Sequence, residues 1–362
     1  MSIILLIILI LFINSLRLPE DGSFWRDTYI DRDSTFAVKG VFVVLIILSH
    51  YSQYITEGAY DAAYRICQDH LNQMVVAMFL FYSGFGIMES IKKKGNDYVS
   101  TMPRKRLLTV LVDFDLAIVL YWLMGTLIMG EHYSASRVLF SLIGWKSIGN
   151  SNWYIFAILY LYLATFVAFS LCKSIRRETL RNVLSLVLLT LLSMAFVYVE
   201  MKIGQPKYCY NTAILYVFGA WYSLVRKYVD KVVMKSDIHY YLIVLLILMC
   251  YCYSYFRRWD YGIEGYTVWA VSFTMLVVLF TMKVKIVSRL FDWFGKHVFE
   301  VYVLQRLPMN LLKHFNYIGR HKYSCFVLCL ICTVLLAEIF SRVTAVINSK
   351  LIAPKKGKEQ IA

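Results

Sequence analysis

Long apolar runs, separated by short polar and basic stretches, set the pattern of this chain. Residues Ile3 to Ile13 contain no polar side chain, and comparable runs recur to the end of the sequence. They fall near 2–17, 37–55, 71–90, 106–129, 152–172, 181–200, 209–226, 238–256, 265–283, 290–312 and 323–349. A helix needs about 20 apolar residues to cross the hydrocarbon core of a bilayer. Lipid offers no hydrogen-bond partner to a backbone, so each run must close its own bonds as a helix. The pattern predicts an all-α, polytopic transmembrane helix bundle of about 10–11 spans. The first run, 2–17, is short and stops at Asn14. It lacks the basic start and small-residue cleavage site of a signal peptide and reads as an uncleaved helix. The expected organisation is an extra N-terminal helix with a cytoplasmic loop over 1–36, one membrane domain over 37–349, and a short basic cytoplasmic tail over 350–362.

Composition sharpens this picture. Of 362 residues, 59% are apolar and only 17% charged. A soluble domain is nearer 25% charged. These values exclude an ordinary soluble enzyme, a disordered chain and a nucleic-acid reader. The formal net charge of +15 then has a topological cause, because cytoplasmic loops of membrane proteins collect Lys and Arg. Across the alternating loops, 26 Lys and Arg fall on one side and 10 on the other, with Arg306 and Arg342 inside runs. The richer side includes Lys92, Lys93, Lys94, Arg104, Lys105 and Arg106. That asymmetry predicts a cell-membrane protein with segment 91–106 and the C-terminus in the cytoplasm, and, for eleven crossings, the N-terminus outside.

Candidate chemistry is sparse. The seven histidines show no ligand spacing within one helix, and the C-x-x-C at Cys329 and Cys332 lies in an apolar run. Neither points to a metal or redox centre. Ionisable groups inside spans carry more information, because burying them is costly. Lys39 and His50 are 11 residues apart in the second run. At 100° per residue they share one helix face, about 16 Å apart along the axis. A cation at the cytoplasmic mouth suits a phosphorylated donor, and a deeper histidine suits proton transfer. The same two residues also fit a snorkelling lysine and a helix-end histidine among headgroups. Asp113 and Asp115 fall inside the fourth run, where Arg106 or Lys39 would be the expected partner. Lys296/Glu300 and Glu338/Arg342 are i, i+4 pairs that neutralise within one helix. Arg306 has no such acid.

Five motifs in order add a resemblance. The segment Lys39-Gly-Val-Phe-Val-Val-Leu-Ile-Ile-Leu-Ser-His50 resembles the opening signature of the acyltransferase-3 family of integral membrane acyltransferases. Phe79-Leu-Phe-Tyr-Ser-Gly-Phe85, Pro103-Arg-Lys-Arg-Leu-Leu108, Asn152-Trp-Tyr-Ile155 and Phe294-Gly-Lys-His-Val-Phe-Glu-Val-Tyr302 are similar to its later segments. Departures are Lys39 where many members carry Arg, Thr109 where many continue the basic pattern, Gln305 near a position that is often His, and the extra N-terminal helix.

The resemblance implies transfer of an acyl group, commonly acetyl, from cytoplasmic acyl-CoA to a hydroxyl of a carbohydrate, lipid-linked glycan or other envelope acceptor. His50 would be the general base. Ser83, Tyr82 and Asn152 are candidate donors to the tetrahedral oxyanion. Lys39, Arg104, Lys105 and Arg106 would meet the phosphates of the donor. No metal and no nucleic acid are expected, and a separate extracytoplasmic partner would fit a chain with so short a tail. The alternative reading is a transporter or flippase of polar envelope precursors. Such proteins often break helices with Gly or Pro at the midplane, whereas only Pro308 of the five prolines lies inside a run here.

Overall fold

A computed structural model describes residues 1–19, 25–56, 58–71, 73–258 and 260–352. Most of the expected tail, from 353 onward, lies outside the described residues. The chain is a helical bundle, as the apolar runs require. In order, the helices are α1 (Ser2–Asn14), α2 (Arg32–Ser52), α3 (Ala62–Leu71), α4 (Met74–Lys94), α5 (Asn96–Met102), α6 (Thr109–Leu127), α7 (Ala135–Leu142) and α8 (Trp153–Leu171). They continue with α9 (Glu178–Lys202), α10 (Ile214–Val233), α11 (Asp237–Arg257), α12 (Gly262–Lys283), α13 (Arg289–Lys296), α14 (Val298–Leu304), α15 (Arg306–His314) and α16 (Lys322–Ile352). A π-helical turn over Pro103–Leu108 joins α5 to α6. Among the described residues the only strands are β1 (Leu16–Arg17) and β2 (Lys285–Ile286), paired antiparallel.

Eight helical stretches among the described residues are long and apolar enough to cross a membrane. The other three expected spans differ in detail. The first is a helix of 13 residues, about 20 Å long. It runs from the end of the bundle that holds α3 to the end that holds β2. The seventh is shifted to α10, whose second half carries Arg226, Lys227, Asp230 and Lys231. The span expected over 290–312 is broken into α13, α14 and α15. Pro308 accounts for the second break. It donates no hydrogen bond, and its ring collides with the carbonyl four residues back, that of Leu304, where α14 ends.

Local signals fix the helix ends. Asp31 caps α2 by accepting from the Ser34 N–H at 2.7 Å, as an N-cap aspartate does. Gly95 ends α4 at φ 59°. Ser134, Ser236 and Ser288 cap α7, α11 and α13.

Burial sorts the helices into centre and periphery. α2 buries 13 of its 21 residues and α4 buries 14, whereas α11 buries only Tyr240 and Ser254. The apolar outer faces of α9, α11 and α16 would be a liability in water and are suited to lipid. Two crossings bring backbones into contact. Gly40 packs on the Phe291 carbonyl while Gly295 packs on that of Phe36, joining α2 to α13. Gly84 and Gly219 meet the carbonyls of Tyr216 and Phe81, joining α4 to α10. Small residues at such contacts are what allow close helix association in lipid.

Candidate active site

The α2 stripe positions the site. Lys39, Ile46 and His50 follow one another at spacings of seven and four, so one face of α2 carries all three. Lys39 lines a cavity of about 930 Å³ at one end of the bundle. His50 lines a second, of about 1220 Å³, at the other. Ile46, Val76 and Tyr302 line both, so the two cavities meet between the lysine and the histidine. The shared residues come from α2, α4 and α14. The broken helix α13–α15 is tolerated here because its open backbone lies within protein beside a cavity.

The neck between the cavities is aromatic and under-bonded. The Tyr302 ring lies 6.2 Å from the His50 ring and 5.4 Å from that of Tyr154. Among the described residues, His50 Nδ1, Tyr302 Oη and Gln305 Oε1 are buried without a hydrogen-bond partner. Gln305, wholly buried, sits beside His50 and uses its Nε2 to donate to the Tyr302 carbonyl at 3.2 Å. Buried polar groups are otherwise paired in native proteins. These three atoms lie together at the meeting point of two cavities, where Gln305 faces His50 and Ser151 faces Tyr302. Ser83 lines the Lys39 cavity beside the phenols of Tyr154 and Tyr162.

The structure divides the expected donor-binding cations. Lys39 and Arg106 line the same cavity, joined there by Arg226 and Lys296. Among the described residues no carboxylate pairs with Lys39, whose Nζ lies 4.7 Å from the Phe36 ring. Arg104 instead donates from Nε to the Leu351 carbonyl at 2.8 Å, bracing the end of α16. Arg104 and Lys105 do not line the cavity. Asn152 lines the His50 cavity, but its Nδ2 donates to the Gly144 carbonyl at 2.7 Å and so holds a loop. Tyr82 lines the Lys39 cavity.

Of three expected pairings, two resolve differently and one forms. Asp113 accepts from Asn348 at 2.8 Å rather than from Arg106 or Lys39. Lys296 and Glu300 lie on opposite sides of the break at His297, and no ion pair joins them among the described residues. Glu338 and Arg342 form the expected pair at 2.7 Å.

The His50 cavity is polar and aromatic. Arg306 at the start of α15 donates to Ser151 Oγ at 2.8 Å, to Tyr54 Oη at 3.1 Å and to Gln53 Oε1 at 2.7 Å. Tyr54 Oη donates to Asn310 Oδ1 at 2.6 Å. Two phenols outside the spans, Tyr133 and Tyr208, also line it. Burial is the main cause that raises each above the ordinary tyrosine range, with Glu131 adding to the effect on Tyr133. Both therefore stay neutral hydrogen-bond donors.

Reading the sequence for chemistry singled out His50, Lys39, Arg106 and Arg306, all of which line a cavity. It gave no role to Tyr302, Tyr154 or Gln305. Tyr154 and Tyr302 stand inside two of the quoted motifs. Gln305 carried a signal of its own, a polar residue in an apolar run three positions before Pro308.

A many-helix bundle with two cavities that share a wall beside a histidine defines a membrane protein with a polar site between its helices. A family model described as an acyltransferase domain, that of the acyltransferase-3 family, matches residues 28–342. The chain belongs to that family and is a multi-pass membrane acyltransferase. Family membership decides between this class and a transporter. No curated protein and no solved structure matches the chain.

Proposed function

We propose that the chain moves an acyl group, acetyl in the simplest case, from acyl-CoA to a hydroxyl of a carbohydrate or other cell-envelope acceptor. The observation that carries this reading is the junction of the two cavities beside His50. The donor enters from the Lys39 side, taken as cytoplasmic because that side is rich in Lys and Arg. A volume of about 930 Å³ lies within the range of cofactor pockets, about 300–1000 Å³. Lys39 and Arg106 hold its phosphates, and its thioester reaches the neck. The acceptor occupies the His50 cavity.

The chemistry then needs no further group. The acceptor O–H gives its proton to the His50 imidazole as its oxygen bonds to the thioester carbon. Hydroxyls of Ser83, Tyr154 and Tyr302 meet the oxyanion that develops. Collapse breaks the C–S bond. The CoA thiolate leaves on the Lys39 side, where it takes up a proton, and the imidazolium returns its proton through the other cavity. On this reading donor and acceptor never share a compartment, and the acyl group crosses only the neck.

The test is the O-acetyl content of envelope glycans, measured by NMR in cells with the intact protein, with His50→Ala and without the gene. The His50→Ala signal should match the deletion at equal protein level. An unchanged signal in that variant, with loss in the deletion, would give the imidazole a non-catalytic place.

A further inference from the structure

Resting on the proposed function, we infer that the acceptor in the His50 cavity is anionic, a glycan or polyol bearing a carboxylate or phosphate held by Arg306 and Lys313. Both cations line that cavity. Their side chains flank one ring: the Arg306 guanidinium lies 5.7 Å from the Tyr54 centroid and Lys313 Nζ 5.4 Å from it. Arg306 is half-buried and bonded to neutral oxygens of Ser151, Tyr54 and Gln53. Among the described residues neither cation has a carboxylate within ion-pair distance. The acids that line the same cavity have other hydrogen-bond partners. Asp69 is held by Arg258 at 3.0 Å and by the Tyr255 hydroxyl, and Glu131 by the Tyr133 hydroxyl.

Two other cations at this end of the bundle are matched within the chain: Lys322 reaches Asp61 at 2.5 Å, and Arg258 reaches Asp69. A guanidinium offers five donors in a planar fork, and its neutral partners fix it in place without cancelling its charge. An oxyanion entering the cavity meets a preorganised fork with a flexible ammonium beside the same Tyr54 ring. Carboxylate and phosphate share this chemistry. Trp153 and Tyr208, with ring centroids 6.1 Å apart, line the same cavity and suit the apolar faces of sugar rings. The arrangement anchors the anion at Arg306 while a neighbouring hydroxyl of the same molecule faces His50.

Binding of three soluble probes to the full chain in neutral-lipid nanodiscs, measured by titration calorimetry, tests this. The probes are trigalacturonate, a glycerol-phosphate trimer and neutral chitotriose. One or both anionic probes should bind at least tenfold more tightly than chitotriose, and which one does names the anion. A charged hydrogen bond lost at this site corresponds to roughly a 10- to 100-fold weakening. Arg306→Gln and Lys313→Gln should each lose anion binding by about that factor, with unfolding temperature unchanged, and Arg306→Lys should recover part of it. Chitotriose binding as tightly as the better-bound of the two anions would overturn the inference. So would a glutamine variant that binds anions as the parent does, or the failure of both anions to bind. His50→Gln should keep anion binding while transfer is lost. Robust transfer to a neutral glycan without anion binding would sink the inference and leave the acyltransferase mechanism standing. Anion binding with no transfer from acyl-CoA to any acceptor would sink the mechanism and leave the anion site standing.

Discussion

The crossing of α2 and α13 makes a sharp test of how the fold holds the site. A Cβ added to Gly295 would fall 1.8 Å from the Phe36 carbonyl oxygen. That atom is backbone and cannot rotate away. Contacts under 3.0 Å are not sustained by real Cβ atoms, so opening the pair from 1.8 to 3.0 Å requires the helices to part by at least 1.2 Å. Overpacking of this kind costs about 1–3 kcal/mol. The same two helices carry Lys39 and Lys296, which wall the donor cavity. A misplacement of about 1 Å in a catalytic array is worth on the order of 100-fold in rate. Gly295→Ala is therefore expected to lose about 2 kcal/mol of stability and most of its activity. The control is Gly86→Ala, on α4, whose added Cβ meets nothing within 4 Å. It should hold its stability or gain up to about 1 kcal/mol, because alanine is the better helix former. Both can be read by unfolding in detergent, followed through tryptophan fluorescence, to which Trp293, two residues from the contact, contributes. A Gly295→Ala protein as stable as the parent, or a Gly86→Ala protein equally destabilised, would refute the reasoning.

Other outcomes follow from the same geometry. His50→Gln should lower the transfer rate by about 10²- to 10⁴-fold, the usual worth of a positioned general base, without changing donor binding. Lys39→Gln should raise the KM for acyl-CoA by roughly 10- to 100-fold and leave that for the acceptor unchanged; equal effects on both would argue against phosphate binding there. Gln305→Leu should reduce kcat by about tenfold while stability shifts by only about 1 kcal/mol, the net worth of one hydrogen bond, because its amide positions the imidazole rather than the fold; unchanged single-turnover rates would dismiss that. Asp61→Asn, which strips the partner from Lys322 at a buried pair, should cost about 3 kcal/mol in an unfolding measurement.

The sequence by itself determined the features that depend on neighbours along one helix. Apolar runs of membrane-spanning length dictated an all-helical bundle, because lipid permits no other closed backbone arrangement. The basic loops segregate as read from the chain: Lys39, Arg106, Arg226 and Lys296 stand at one end, and Arg65, Lys313 and Arg258 at the other. The Lys39–His50 alignment held because 3.6-residue periodicity is a local property. The five motifs carried the family.

What only the tertiary structure decided is whatever required one helix to know the position of another. Nothing local to 103–108 separates Arg106, in the cavity, from Arg104, tied to Leu351 at 2.8 Å. Asp113 found Asn348, a residue 235 positions away. The span expected at 290–312 broke where Pro308 meets Leu304, and that break gives the neck Tyr302 and Gln305. Two cavities meet at Ile46, Val76 and Tyr302 because α2, α4 and α14 converge. Periodicity sets which way a side chain points along its own helix, but the space it points into is enclosed by packing between helices far apart in the chain.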